Sequence, residues 1–191
     1  MRYYIIAGEA SGDLHGANLI KNLYDADKEA VINFRSSERM AAVMGFADVA
    51  RKAGTIFRAL SECKKEILDF SPDVVILIDY PGFNLRIAKW AHKKGLKVFY
   101  YIAPKVWASR EWRIKKLRKY VDRLFIIFPF EKAYFESKGI PYIYCGNPLV
   151  DAVDASPALA QSHEDFCNAN GLVPDTKIIA MLAGSRLGEV K

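Results

Sequence analysis

The stretch SPDVVILIDYPGFNLRIAKWA (71–91) decides the fold of this chain. Its apolar run Val74–Ile78 is continuous rather than alternating in polarity, which is typical of a strand covered on both faces. The amphipathic segment that follows, Leu85–Lys94, stops at Gly95, a common residue just past the end of a helix. A buried strand followed at once by a helix is the repeating unit of parallel α/β sheets.

The same alternation of apolar runs and amphipathic segments continues on both sides of this stretch. It predicts an α/β fold with a doubly wound parallel sheet. The further strand candidates are Tyr3–Ala7, Val31–Phe34, Val98–Ile102, Leu124–Phe128, Tyr142–Cys145 and Ile178–Leu182. The further helix candidates are Asp13–Tyr24, Thr55–Phe70, Trp112–Leu124, Phe130–Ser137 and Ser162–Asn170.

A domain boundary is predicted near the segment DAVDASPALAQ (151–161), whose small and polar residues are typical of a linker. Residues 1–155 are expected to form a Rossmann-like domain, and residues 156–191 the linker and the opening of a truncated second domain. The strand candidate 178–182 and the glycine turn after it support this expectation, because such a turn normally opens a helix.

Composition and charge restrict the class of protein. The 191 residues are 51% hydrophobic and 26% charged, which excludes a disordered chain. The net charge of +6 is local, since segment 105–123 holds eight basic and two acidic residues. No apolar run is long enough to span a bilayer, and the three cysteines and three histidines lack metal-ligand spacing. These features favour a metal-free cytoplasmic protein.

Three turns at the carboxyl ends of predicted strands are the candidate site, because open α/β sheets bind ligands at that edge. The turn GEASGD (8–13) offers backbone N–H groups to a phosphate, or is a plain turn with Ser11 or Asp13 as helix N-cap. Asp79 either accepts a proton from a hydroxyl nucleophile or caps the next helix. Arg186 either binds a diphosphate or lies in a solvated turn.

The basic segment 105–123 interleaves Trp107, Trp112 and Tyr120 with cations. Such a face binds nucleic acid, anchors at an anionic membrane, or is a solvated helix face with its aromatic rings buried. A binding module without chemistry is therefore an alternative to an enzyme, with a membrane favoured over nucleic acid because the patch is one short helix. A dinucleotide site at the first turn is a third alternative, although GxGxxG is absent.

Eight motifs, taken in order, make the chain similar to the lipid-A-disaccharide synthase family. They are GEASGD (8–13), VMGF (43–46), SPDVVILIDYPGFNLRIAKWA (71–91), YYIAPKVWA (100–108), REWRIKKLRKYVDR (110–123), FPFEKAYF (128–135), GNPLVDAV (146–153) and LAGSRLGEV (182–190). The resemblance implies the N-terminal half of a glycosyltransferase-B architecture, in which two Rossmann-like halves face a cleft. The first half receives the acceptor, and the second holds the UDP of the donor.

The resemblance also implies a reaction and the residues that perform it. The family transfers 2,3-diacylglucosamine from UDP-2,3-diacylglucosamine to the 6-hydroxyl of 2,3-diacylglucosamine 1-phosphate, with inversion and without metal or cofactor. Asp79 matches the family's aspartate and is the expected general base, while Arg186 is expected to stabilise charge on the departing UDP. The expected substrate-binding residues are Glu9, Ser11, Gly12 and Asn84, with Ile56, Phe57 and Leu60 as apolar lining for acyl chains.

The expected partners and location follow from the same resemblance. They are the two lipid substrates and the anionic surface of the bacterial inner membrane, at its cytoplasmic face, with a homodimer left open and no nucleic acid. Residues 34–44 are shorter than the family pattern, and Ser109 and Ala183 replace its tryptophan and proline. Because the UDP-binding residues of the family lie in its second half, the isolated chain is expected to be inactive.

Overall fold

Six parallel strands form the sheet at the centre of the fold. In a computed structural model, which describes residues 1–44 and 52–182, the strands lie in the order β2-β1-β3-β4-β5-β6. Their bounds are β1 Arg2–Ala7, β2 Val31–Arg35, β3 Val74–Ile78, β4 Lys97–Tyr101, β5 Arg123–Ile126 and β6 Ile143–Tyr144. Every neighbouring pair is parallel, which confirms the predicted α/β class.

Helices connect the strands and continue beyond the last one. They are α1 Ala10–Ala26, α2 Ser37–Met44, α3 Lys52–Phe70, α4 Pro81–Lys93, α5 Ile114–Tyr120, α6 Glu131–Ser137, α7 Pro148–Asp154 and α8 His163–Ala169. Two short 3₁₀ helices cover Glu111–Arg113 and Pro157–Ala160. Within the described ranges, no helix is long and apolar enough to cross a bilayer.

The sheet is covered on both faces, as its continuous apolar strands predict. The register pairs Tyr4 with Val75 and Ile5 with Ile76. Because successive side chains of a strand point to opposite faces, the first pair packs with α3 and α4, whereas the second packs with α1. All four side chains are at most 5% exposed, and burial of each contributes about 1.5–3 kcal/mol of hydrophobic free energy.

The predicted helix Trp112–Leu124 is wrong at its end. Helix α5 ends at Tyr120, and Leu124 is a buried residue of β5. The Asp122 amide donates to the Val98 carbonyl at 2.8 Å, and the Asp122 carboxylate accepts from the Val98 amide at 2.7 Å. Hydrogen bonding to β4 therefore draws the chain out of the helix, although apolar residues continue at helical spacing into the strand.

The chain divides into two compact units, Met1–Pro148 and Leu149–Lys191. The predicted linker 151–161 contains the end of α7 and a 3₁₀ helix rather than irregular chain. The predicted strand 178–182 is wrong: these residues form no strand, because the described part of their unit contains no neighbouring strand to pair with their backbone groups. That the two units are an acceptor domain and the opening of a donor domain stays a prediction.

Candidate active site

The candidate site lies where the sheet reverses its strand order. Strand β1 is flanked by β2 on one side and β3 on the other, and the helices after β1 and β3 cover opposite faces of the sheet. The carboxyl ends of β1 and β3, where these helices diverge, are the usual place for a ligand in an open α/β sheet. Glu9 follows β1 and Asp79 follows β3, so the sheet brings the two predicted turns together.

Asp79 and Tyr80 form a tight turn between β3 and α4. Both have positive φ angles, 41° and 44°, which non-glycine residues adopt rarely. The N-cap of α4 is Tyr80, without a side-chain capping hydrogen bond, so the alternative in which Asp79 caps this helix is wrong. Asp79 therefore does not cap α4, although its carboxylate accepts a hydrogen bond from the Tyr80 amide.

Asn84 lies beneath this turn. Its side chain is fully buried, and Nδ2 donates to the carbonyl oxygens of Ile78 at 3.0 Å and Asp79 at 2.8 Å. Among the described residues, Oδ1 has no hydrogen-bond partner. The Nδ2 group of Asn84 therefore binds the backbone of the turn. Direct contact between Asn84 and substrate, which the sequence predicts, stays a prediction.

Two glycines allow close packing around the turn after β1: Gly8 accommodates the Tyr80 ring, and Gly12 brings α1 against the end of β1. A Cβ added to Gly8 would lie 2.1 Å from Cδ1 of Tyr80, and one added to Gly12 would lie 3.2 Å from Cβ of Ala7. Both glycines are therefore explained by packing, without reference to a phosphate. Ser11 is exposed at the start of α1, where the predicted phosphate contact stays a prediction.

The alternative with Ser11 or Asp13 as helix N-cap is wrong. Helix α1 is capped by Glu9, which makes no side-chain capping hydrogen bond. The Asp13 carboxylate instead accepts from the Ser37 amide at 2.8 Å and from the Ser37 hydroxyl. Asp13 therefore fastens α1 to the start of α2, a contact that local spacing does not encode.

The Asp79 carboxyl lies in a mixed electrostatic environment. Burial raises its pKa, and the negative charge of Glu9 raises it further, whereas Lys105, the Tyr80 amide and Arg113 oppose the shift. The net effect is a pKa above the ordinary value. Because a general base is most effective when its pKa approaches the working pH, this shift suits Asp79 to proton abstraction.

Glu131 is a buried carboxylate at the same edge of the sheet that sequence reasoning missed. It is 1% exposed and accepts hydrogen bonds from the amides of Ile127 at 3.1 Å and Phe128 at 3.0 Å, and from Trp107 Nε1 at 3.1 Å. Glu131 thereby ties the loop after β4 to the turn after β5. The available sequence signal was an acidic residue in the first turn of α6, which usually indicates only a favourable helix start.

Glu131 also fixes a group of partly exposed aromatic rings at this edge. The Trp107 ring meets Phe130 edge to face, with centroids 4.8 Å apart, and Phe128 stacks on Phe130 at 5.4 Å. Trp107 is 39% exposed and Phe130 is 52% exposed. Large aromatic side chains held in place yet open to solvent are typical of binding surfaces.

The three residues assigned to acyl-chain contact differ in exposure. Leu60 is 5% exposed and Ile56 packs against the core, whereas Phe57 is 69% exposed. Phe57 is thus the most exposed of the three, and a role in acyl-chain contact stays a prediction for all of them. Arg186, with its glycine turn, and the end of the VMGF motif lie outside the described residues.

The basic segment presents its cations outward, as its apolar spacing predicts. Ile114 and Leu117 are buried, whereas Trp112 is 58% exposed, with Lys116 Nζ 4.8 Å from its ring centroid. An exposed ring among cations corrects the alternative in which these aromatic rings are all buried. The same composition occurs where proteins adsorb to anionic membranes.

Comparisons with known proteins assign the family. The model of the family described as "Lipid-A-disaccharide synthetase" matches residues 3–191. The chain belongs to this family. The match supports the transferase interpretation and does not favour the binding-module or dinucleotide alternatives.

Relatives of known name agree with the family assignment. The chain is 41% identical over 206 residues to a lipid-A-disaccharide synthase of Geobacter metallireducens, with 99% of this chain and 52% of the relative covered. Synthases of Trichlorobacter lovleyi (39% identity, 99% and 52% covered) and Coxiella burnetii (37%, 97% and 52%) are also similar. The chain spans about half the length of these relatives.

Solved structures confirm the fold. A UDP-N-acetylglucosamine 2-epimerase superimposes with a TM-score of 0.65 at 13% identity, covering 84% of this chain and 54% of the epimerase. The UDP-GlcNAc 2-epimerase of Methanocaldococcus jannaschii gives a TM-score of 0.61 at 19% identity, covering 88% of this chain and 53% of that protein. At such low identity the likeness extends to the architecture alone.

Proposed function

We propose that this chain is the acceptor-binding part of a lipid-A-disaccharide synthase. The complete enzyme transfers 2,3-diacylglucosamine from UDP-2,3-diacylglucosamine to the 6-hydroxyl of 2,3-diacylglucosamine 1-phosphate. The observation that carries this proposal is the partly buried carboxyl of Asp79, with a raised pKa, at the carboxyl end of β3 in a chain of this family. The proposed reaction needs one base for one hydroxyl, which this site offers.

The proposed chemistry is a single inverting displacement. The ionised Asp79 carboxylate accepts the proton of the acceptor 6-hydroxyl while that oxygen forms a bond to the anomeric carbon of the donor. The bond from this carbon to the diphosphate breaks, and UDP leaves with the electron pair. Arg186 is proposed to stabilise the charge that develops on UDP. We assign no metal or cofactor to these steps.

Lys105 and Arg113 are proposed to bind the 1-phosphate of the acceptor. Both cations interact favourably with the Asp79 carboxylate, so they lie near the proposed base. Their positive charges match a phosphate on the same sugar that carries the reacting hydroxyl. Ser11, near the turn after β1, is a further candidate for this phosphate.

Acceptor binding by this chain tests the proposal directly. In detergent micelles, calorimetric titration is expected to show saturable binding of 2,3-diacylglucosamine 1-phosphate and none of UDP. Lys105→Ala should weaken acceptor binding about 10-fold, the usual effect of losing one hydrogen bond to a charged group. The control is Lys97→Ala at the amino end of β4, which should leave the affinity unchanged. Equal affinity for the acceptor and for the same lipid without phosphate would contradict the phosphate assignment.

The basic face is proposed to hold the enzyme at the cytoplasmic surface of the bacterial inner membrane. Lys115, Lys116 and Lys119 belong to α5 beside the exposed Trp112. Each lysine near an anionic surface contributes about 1 kcal/mol of binding free energy. The exposed Phe57 offers an apolar contact as well. A peripheral location and a homodimer both stay proposals.

Charge reversal on this face should weaken vesicle binding. The triple variant Lys115→Glu, Lys116→Glu, Lys119→Glu is expected to lower affinity for phosphatidylglycerol-containing vesicles on the order of 100-fold, measured by co-sedimentation. A matched variant, Lys21→Glu, Lys28→Glu, Lys97→Glu, makes the same charge change at exposed positions elsewhere and should have a much smaller effect. Equal losses in the two variants would show that net charge, rather than this face, controls adsorption.

A further inference from the structure

The Asp79 turn is a backbone conformation that its own residues do not favour. Two successive non-glycine residues, Asp79 and Tyr80, have φ angles of 41° and 44°. Side chains with a Cβ clash with the neighbouring carbonyl in this left-handed region, so the conformation persists only where surrounding contacts hold it. Such turns concentrate at functional sites. The structure shows which contacts hold this one.

Strand pairing stops in the middle of Asp79. Its amide still donates to the Tyr101 carbonyl at 3.2 Å, continuing the pairing of β3 with β4. Its carbonyl instead accepts the Tyr100 hydroxyl at 2.6 Å and Asn84 Nδ2 at 2.8 Å. The Asp79 amide thus belongs to the sheet, whereas the Asp79 carbonyl is held by two side chains.

Both donors are buried and belong to different elements. Tyr100 on β4 and Asn84 on α4 are each 0% exposed. Packing therefore fixes both donors, and a donor that lost the Asp79 carbonyl would be left buried without a partner for its hydrogen. The Tyr80 ring closes the third side, against the space that the missing side chain of Gly8 leaves.

We propose that Tyr100 and Asn84 are positioning residues, which hold the Asp79 carbonyl and so direct the Asp79 carboxylate toward the ligand position at the carboxyl ends of β1 and β3. This inference rests on the proposed function, in which that carboxylate is the base. Neither residue needs to touch substrate. The Tyr100 hydroxyl and the Asn84 amide both donate to the Asp79 carbonyl oxygen. If Tyr100 served only to fill the core, its aromatic ring would be enough and its hydroxyl would not be needed.

Removal of the Tyr100 hydroxyl separates a positioning role from a structural one. Tyr100→Phe keeps the ring and loses one hydrogen bond. The control is Tyr4→Phe, another fully buried tyrosine of the same core cluster, whose hydroxyl donates to Glu66 at 2.5 Å away from the turn. Asn84→Ala provides a second variant of the positioning pair.

The first measurement is the titration of the Asp79 carboxyl in this chain, by NMR of selectively ¹³C-labelled aspartate. Burial keeps the pKa of Asp79 raised, so a relaxed turn that opens to water should return it toward the ordinary value. We expect this fall in Tyr100→Phe and in Asn84→Ala, and no change in Tyr4→Phe. An unchanged Asp79 pKa in both positioning variants, with stability lowered as in Tyr4→Phe, would overturn the inference.

The second measurement is turnover, in a fusion of this chain with the C-terminal half of the Geobacter metallireducens relative. Tyr100→Phe is expected to lower kcat about 10- to 100-fold, the cost of misplacing a catalytic group, with the acceptor KM changed much less. Tyr4→Phe should keep kcat. A Tyr100→Phe variant whose kcat matches that of Tyr4→Phe would contradict positioning. Asp79→Asn distinguishes failure of the proposed function from failure of this inference. If Asp79 is not the base, Asp79→Asn leaves turnover intact, whatever the NMR titration of the positioning variants shows.

Discussion

Asp79→Asn is expected to lower turnover at least about 100-fold in the same fusion, because it removes the group that accepts the proton of the acceptor hydroxyl. Asparagine nearly preserves the size of the side chain, so acceptor binding should change little. The effect should appear in kcat, measured by release of UDP at saturating acceptor and donor. The matched control is Asp73→Asn at the amino end of the same strand, whose carboxylate accepts from the Arg2 amide at 2.7 Å.

Stability provides an independent check on this variant. The pKa of Asp79 is raised in the folded chain, so folding favours its protonated form. Its ionisation therefore destabilises the fold as pH rises from the unfolded pKa through the folded one. A neutral asparagine escapes this cost, and urea unfolding at neutral pH should show equal or higher stability. Turnover within a few fold of the unsubstituted fusion would remove Asp79 from the role of base.

The pH dependence of the reaction follows from the same shift. Only ionised Asp79 accepts a proton, so kcat should fall as pH decreases through its raised pKa. The acid limb of the profile is thus expected above the ordinary range of an aspartate. In Asp79→Asn, the remaining activity should lose this limb.

Glu66→Ala is expected to destabilise the fold by about 2 kcal/mol, less than the loss of a fully buried ion pair, because Glu66 itself is 30% exposed. Glu66 accepts from Arg35 Nη1 at 2.7 Å, and Arg35 is 1% exposed. The Tyr4 hydroxyl donates to the same carboxylate. The nearby Cys63 thiol offers no substitute charge, since burial raises its pKa to about 12. Loss of Glu66 therefore leaves a buried guanidinium with no carboxylate partner within the described residues.

Helix α3 offers a matched control for this variant. Glu62 pairs with Arg58 at 2.9 Å one turn away, but the Arg58 side chain is 76% exposed. An exposed pair contributes about 0.5 kcal/mol, so Glu62→Ala should change the free energy of unfolding in urea only slightly. Equal losses for Glu62→Ala and Glu66→Ala would contradict the structural importance of the Arg35 ion pair.

The pH dependence of stability is a second measure of the Glu66 cluster. Burial acts against ionisation of Glu66, but hydrogen bonds from Tyr4 and Arg35 and the charges of Arg35 and Arg39 lower its pKa overall. Since the folded pKa lies below the unfolded one, this stabilisation is present above the unfolded pKa and lost as pH falls through the folded pKa. In Glu66→Ala, the free energy of unfolding should therefore decrease less as pH falls through this range.

The sequence predicted the parts of the site that depend on neighbours in the chain. A carboxylate directly after the buried run Val74–Ile78 must lie at the carboxyl edge of a parallel sheet, so the position of Asp79 was predicted from the sequence. Glu131 was not found, because its three donors come from two separate loops. Asn84 was predicted to bind substrate, which stays a prediction, and its contacts with the turn backbone were not predicted.

The order of the six strands and of most helices in the first unit follows from the sequence by itself, because continuous apolar runs and a period of 3.6 residues are local patterns. Helix α2, Ser37–Met44, was not predicted. Only the tertiary structure decided where α5 ends, because Asp122 is held by a hydrogen bond with Val98 of β4, a residue distant in the sequence. The left-handed Asp79 turn was also decided by the tertiary structure, because the two side chains that hold it belong to α4 and β4, which only folding brings together.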